Sequence, residues 1–287
     1  MGYNLLMGII GNKTAVRTTE FHKKMELRRR IKLGLFILLS IALVALPIYL
    51  LRTSKFLISN IEIKGNNVTK DEEIQKILDA DLRGNYMWIF PRSNALLYPK
   101  KKIIGDILHT IPRVNSVTLS LLNARSLQVS VSERVPFALY CKDVTTPTSP
   151  TNCFFLDQTG YIFSEAPSFS GGVYFVYSSD PSLDFPLRQQ YMNENVFKTL
   201  DPFIQSLASV GLFPKVFVLK EKEYALLLSN NAVVSWPRDQ DLSNVSSNLQ
   251  SFLADPSFRN NKQNLNNLLY LKVLGNKIYY KLRDVVL

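Results

Sequence analysis

The sequence predicts an α+β protein carried by a single membrane-crossing helix. Three observations point there. Leu33 to Leu51 is a run of nineteen residues without a charge. Residues 56–134 then alternate between strand and helix patterns in the order β-α-α-β-β. Residues 135–287 carry nine short apolar runs, many of them set apart by turn residues, which reads as a mostly antiparallel β domain with packed helices.

The crossing comes first. A helix of that length spans roughly 30 Å, the thickness of a hydrocarbon core. It is also the only stretch long and apolar enough to cross, which excludes a multipass transporter. The flanks set its direction. Residues 1–32 hold eight basic groups (Lys13, Arg17, Lys23, Lys24, Arg28, Arg29, Arg30 and Lys32) against Glu20 and Glu26. Just beyond the run stand only Arg52 and Lys55. The positive-inside rule therefore places 1–32 in the cytoplasm as a solvated, flexible tail and sends the rest outside. The tail supplies +6 of the net +11, so the basic excess is a membrane-orientation signal and not a nucleic-acid face. A cleaved signal peptide is the competing reading. Its apolar region would run about 7–15 residues and end at a small-x-small site, and IYLLRTSKF offers none.

Outside the membrane, Ile61 and Ile63 alternate with Glu62 and Lys64 as in a half-buried strand, which ends at Gly65-Asn66. Thr69 and Glu72 have the spacing of a capping box before a helix with Ile74, Ile77 and Leu78 on one face. A second helix begins near Pro99, a residue suited to a first turn. Ile103, Ile104, Ile107, Leu108 and Ile111 form its apolar face. Lys100, Lys101 and Lys102 read as its solvated start, with an anionic surface as the other candidate contact. Two alternating strands follow, 117–121 and 127–131, joined by a turn at Asn123-Ala124-Arg125.

The remaining region reads as strands at 137–141, 153–156, 161–163, 173–177, 215–219, 224–228, 232–236, 268–274 and 277–282. Two helices interrupt them. One spans 193–210 with Val196, Leu200, Phe203 and Leu207 on a face; the other spans 240–254 with Leu242, Val245, Leu249 and Phe252. Cys141 and Cys153 flank the loop KDVTTPTSPTN between two strand-like runs. On the outer side of a membrane a disulfide between them would persist and close a hairpin base. Two separate buried thiols are the alternative.

Catalytic chemistry finds little to stand on. His109 is the only histidine beyond the membrane, and it sits at a helix end. There is no Ser-x-x-Lys, Gly-x-Ser-x-Gly, His-Glu-x-x-His or phosphate-binding loop. Neither a cofactor nor a metal is expected, and a small-molecule substrate has no site in this pattern.

One crossing after a basic tail, then IEIKGN, a capped helix, IPRVNSVTLS and LQVSVSERVPFALY, resembles the FtsQ/DivIB family of bacterial cell-division proteins. Glu133-Arg134-Val135-Pro136 matches the Glu-Arg-x-Pro that ends that family's first outer module. FFLDQTGYIF resembles its Leu-Asp-x-x-Gly-x-x-Phe hairpin, and LLYLKVLGNKIYYK its closing strand pair, although Lys272 stands where Asp is common. The resemblance implies a tail at 1–32, a transmembrane helix at 33–51, a POTRA domain at 56–134 and a C-terminal β domain at 135–287. It implies a non-enzymatic divisome protein of the inner (plasma) membrane, concentrated at the septum. Such a protein links and regulates septal peptidoglycan synthesis by binding small coiled-coil partners like FtsB and FtsL. The family's contact uses the terminal strand as an open edge, which here is Lys277, Ile278, Tyr279, Tyr280 and Lys281. Taken alone, those residues also fit an ordinary edge strand blunted by two lysines.

Two rival functions differ in class. A membrane-anchored cell-wall enzyme would need a catalytic set in the outer region. An envelope-assembly or adhesion module with a POTRA-like domain would be cleaved after the apolar run and released.

Overall fold

The structure, a computed structural model, describes residues 14–144, 151–168, 173–259 and 263–283. The fold is α+β, with one long apolar helix followed by a body built mostly of sheet. The middle of the Cys141–Cys153 loop, 145–150, lies outside the described residues, as does the start of the tail.

Helix α1 runs from Thr14 to Arg52 without interruption. Its segment Lys23–Arg52 is long and apolar enough to cross a membrane, and none of that span is buried inside the protein. The expected flexible tail is corrected here, because residues 14–32 are helical and continuous with the apolar run. That stretch is rich in Lys, Arg and Glu, good helix formers, and has no Gly or Pro to stop propagation.

The body divides into two compact units that do not follow chain order. The first takes 1–64, 74–104 and 119–129; the second takes 65–73, 105–118 and 130–287. The boundary expected at 134/135 therefore falls inside the second unit. A small sheet has the order β1-β5-β4, with β1 at Asn60–Lys64, β4 at Val114–Asn123 and β5 at Ser126–Glu133. Between β1 and β4 come α2 (Asp71–Leu82), a short hairpin of β2 (Asn85–Tyr86) and β3 (Phe90–Pro91), and α3 (Lys100–Thr110). That hairpin was not expected from the sequence. Within the first unit, Ile74 and Leu78 of α2, Ile103 of α3, and Leu119, Leu127 and Val129 of the strands are buried.

The capping box is also corrected. Helix α2 starts at Asp71, and among the described residues no N–H reaches the buried Thr69 hydroxyl. The preceding turn is held by Glu133, whose carboxylate accepts from the backbone N–H groups of Asn67, Val68 and Thr69. Asn66 donates to the Asp71 carboxylate and to the Thr69 carbonyl. Gly65 makes the turn possible. Its φ is +86°, and a Cβ there would lie 2.2 Å from the Val131 carbonyl oxygen.

A nine-stranded sheet in the second unit has the order β14-β13-β12-β11-β10-β9-β6-β7-β8. Its strands are β6 (Ala138–Asp143), β7 (Thr151–Leu156), β8 (Ile162–Glu165), β9 (Val176–Asp180), β10 (Pro214–Lys220), β11 (Glu223–Leu228), β12 (Val233–Pro237), β13 (Leu268–Leu274) and β14 (Lys277–Leu282). Each expected apolar run overlaps one of them, with β9 starting three residues into the run expected at 173–177. Antiparallel pairs dominate, but β6–β9, β9–β10 and β12–β13 are parallel. Parallel neighbours need a long crossover. Helix α4 (Glu194–Ser206) lies in the connection from β9 to β10. Helix α5 (Leu242–Ala254) and two short ones, α6 (Pro256–Arg259) and α7 (Gln263–Asn266), connect β12 to β13.

The core of this unit lies between the sheet and those helices. Tyr140, Tyr177, Phe217, Leu226, Val234 and Trp236 meet Phe197, Leu200 and Ile204 of α4 and Val245 and Leu249 of α5. On the expected face of the helical segment 193–210, Leu200, Phe203 and Leu207 are buried, but its first residue is corrected: Phe197 is buried and Val196 is exposed.

Candidate functional site

The ribbon β13–β14 stands at one end of the nine-stranded sheet. Its register pairs Leu274 with Lys277, Lys272 with Tyr279 and Tyr270 with Lys281. The turn between them is Gly275-Asn276. Gly275 has φ +56° and Asn276 is not left-handed, the pattern of a two-residue hairpin with Gly at its first central position. Side chains fasten this turn. Gln240 and Asn248 both donate to the Gly275 carbonyl, and the Gly275 N–H donates to Gln240 Oε1.

Among the described residues β14 pairs with β13 alone, so its outer side is a free strand edge. In such a hairpin the pair next to the turn is hydrogen-bonded, and bonding then alternates along the ladder. Lys277 and Tyr279 turn their backbone groups toward β13, while Ile278 and Tyr280 turn theirs to the open side.

The side chains divide the five positions along the same line. Ile278 and Tyr280 face the helices. Ile278 packs on the core, and Tyr280 meets the rings of Phe252 and Phe258 at 5.0 and 5.6 Å. Lys277, Tyr279 and Lys281 face away, and Tyr279 is 49% exposed. They share that face with Tyr270, Leu274 and Lys272. Lys272 donates to Glu223 at 2.9 Å, and this bond, aided by Lys220, holds the Glu223 carboxyl below its usual range. The ribbon therefore offers backbone groups, the exposed Tyr279 and Tyr270 on its outward face, and a basic rim.

The other sequence-marked residues lie elsewhere. Cys141 and Cys153 are opposite each other in β6 and β7 and form a disulfide, with Cα atoms 4.1 Å apart. His109 is in the last turn of α3 and exposed. Lys102 pairs with the buried carboxylate of Asp81, and Lys100 and Lys101 are exposed.

Glu133 and Arg134 act as a structural joint. Burial opposes the Glu133 charge, but the hydrogen bonds from Thr69, Val68 and Asn67 outweigh it and lower its pKa. Arg134 pairs with Asp157, lies over the Tyr161 ring at 4.3 Å and donates to the Pro112 carbonyl. Asp157 also accepts from the Thr159 N–H and hydroxyl and from the Tyr161 N–H. Burial works against its charge too, and these donors more than offset it, so its pKa is lowered. Two motifs noted separately in the sequence, Glu-Arg-Val-Pro and Leu-Asp-Gln-Thr-Gly, thus meet in space. No local signal announces that pairing, because the partners are 23 positions apart.

Compared with known proteins, the chain matches no protein-family model and no curated relative.

Proposed function

We propose that this chain is a non-enzymatic, single-span membrane protein of the FtsQ/DivIB kind. Its tail lies in the cytoplasm, and its body, a POTRA domain followed by a β domain, lies outside. It captures a short segment of a small coiled-coil division protein, an FtsB- or FtsL-like partner, as an added strand on β14 and so helps place septal peptidoglycan synthesis.

The observation that carries this reading is the free edge of β14 beside an exposed Tyr279. An incoming strand gains main-chain hydrogen bonds from such an edge and specificity from side-chain contacts. Tyrosine is a common anchor in protein interfaces. The basic rim of Lys272, Lys277 and Lys281 favours a partner strand bearing carboxylates. Further support comes from the order of the motifs, from the strand order β1-β5-β4 with two helices between β1 and β4, and from an apolar helix after a basic tail.

The test is capture of FtsB-like partner by the full-length chain. Ile278→Pro removes an edge N–H, and Tyr279→Ala removes the anchor. Both are expected to abolish capture while circular dichroism stays that of the parent. Undiminished capture by both variants, or a uniform membrane signal from a fluorescent fusion instead of a midcell band, would overturn the proposal.

A further inference from the structure

The β2–β3 hairpin ends in a tip that no core of the described residues covers. Its strands pair Asn85 with Pro91 and Tyr86 with Phe90, leaving Met87, Trp88 and Ile89 as the turn. Met87 and Trp88 both have positive φ, 48° and 67°, which side-chain-bearing residues seldom adopt. Met87 is 81% exposed and Trp88 is 93% exposed. A hairpin turn ordinarily places Gly, Asn or Asp at such positions. Here the two strained positions carry a thioether and an indole, aimed at solvent. Strain of this sort gathers where a surface is used.

The surroundings say what the tip meets. The segment following β3 is fastened to the end of α1: the buried Asn94 side chain donates to the Leu51 carbonyl at 2.7 Å, and the Ala95 N–H donates to the Phe56 carbonyl. Leu51 is the last residue of the apolar run. Strand β3 itself packs against α1 and Trp88 stands two residues before Phe90, roughly 7 Å of extended chain, so the tip lies near the point where α1 leaves the hydrocarbon. The headgroup zone on each side is of that order of depth. Charge agrees with this placement. Between Leu82 and Gly105 no acidic residue occurs, and with Lys102 paired to Asp81 the segment still carries Arg83, Arg92, Lys100 and Lys101. Further exposed apolar side chains, Ile89, Leu96 and Leu97, flank the tip.

We propose that the β2–β3 hairpin is a second membrane anchor: Trp88 and Met87 seat in the outer headgroup layer of the bilayer that α1 spans, and the neighbouring basic residues lie over anionic headgroups. Tryptophan favours that layer because its ring is apolar and its N–H is polar. Covering the tip with lipid removes an exposed indole from water and fixes the exit angle of the outer region. The inference rests on the reading of α1 as a bilayer span and is independent of the division role.

The test uses the full-length chain in nanodiscs of phosphatidylglycerol and phosphatidylcholine, with and without brominated acyl chains. The chain has two tryptophans, and Trp236 is fully buried. Bromine is therefore expected to quench most of the Trp88 component in the parent and nothing in Trp88→Phe. Quenching is expected to weaken when phosphatidylglycerol is omitted or in Lys100→Gln/Lys101→Gln. A chain that co-elutes with discs and resists carbonate extraction, yet is quenched no more than Trp88→Phe, overturns the anchor and leaves the span standing. So does a Trp88 shielded only when a protein partner is added. A chain that never enters the discs overturns both.

Discussion

The two edges of the nine-stranded sheet are finished in opposite ways. At one edge β8 is short and covered. The Ile162 N–H donates to the Gln189 carbonyl, and the Arg188 N–H donates back to Ile162, so the segment 188–190 lies along the strand. Arg113 lies over the Phe163 ring and donates to Ser164, and the disulfide between β6 and β7 clamps the strands behind. At the other edge, β14 has only β13 beside it among the described residues. Exposed edges invite unwanted pairing, and proteins usually cover or blunt them. This chain covers one and presents the other with an exposed tyrosine, which is why β14 is read as a docking edge.

The largest expected effect tests whether the closed edge is held by its polar joint. Asp157→Ala leaves Arg134, 18% exposed, without its carboxylate and frees three donors of the 157–161 turn. Removing one member of a buried pair costs about 3–5 kcal/mol. That loss should appear as a fall in the denaturant midpoint of the full chain in detergent. The joint also predicts a pH dependence. Asp157 and Glu133 have folded pKa values below their unfolded ones. Their contribution is complete above the ordinary carboxylate range and disappears as the pH falls through the folded values. Thermal midpoints should therefore drop below about pH 4, and Asp157→Asn should flatten that limb.

The disulfide comes next. Cys141→Ser with Cys153→Ser opens a loop whose closure is worth about 3 kcal/mol. The same loss should follow from reduction of the parent. If the two edges are independent, partner capture at β14 survives in the double variant below its melting point. Loss of capture there would show that the covered edge also supports the open one.

What the sequence made legible, and what it hid, follows the range of the forces. Alternation is local, so each of the nine apolar runs overlaps a strand of the second unit, though β9 shares only Val176 and Tyr177 with its run, and Pro99 marked the start of α3 correctly. The β4–β5 turn also stands where Asn123-Ala124-Arg125 placed it, with the Arg125 N–H on Asn123 Oδ1. Long-range choices left no local trace. The parallel pairs β9–β10 and β12–β13 depend on crossovers through α4 and α5, the pair β6–β9 depends on a connection through β7 and β8, and the Arg134–Asp157 joint depends on tertiary placement. The β2–β3 hairpin has two residues per strand, too few to alternate, and its turn lacks Gly, Asn or Asp. At the ribbon, the five positions 277–281 were legible as the last strand. Their split into a helix-facing pair and an outward trio was not, because the rings of Phe252 and Phe258 that claim Tyr280 come from another part of the chain.

A smaller effect tests that split. Phe252→Ala removes the ring nearest Tyr280 and a neighbour of Phe258 at 4.5 Å. Aromatic pairs add about 0.5–1.5 kcal/mol each beyond the area they bury. A loss of about 1–2 kcal/mol is expected for this half-buried site, with the ribbon exchanging its amide protons faster than the rest of the sheet.

The smallest stability effect belongs to the residue on which the docking reading most depends. Tyr279 and Tyr280 are adjacent, of one type and almost equally exposed, at 49% and 48%. They differ in what they touch. Tyr280 has two rings against it, whereas Tyr279 stands opposite Lys272 across the ladder on the outward face. Tyr280→Ala should therefore lower stability by about 1 kcal/mol or more through the lost ring contacts. Tyr279→Ala should stay within about 0.5 kcal/mol of the parent, as surface substitutions do. Partner capture is expected to rank the two the other way, with the greater loss in Tyr279→Ala. Equal losses of capture from both, each in proportion to its loss of stability, would mean that the ribbon matters only by being folded.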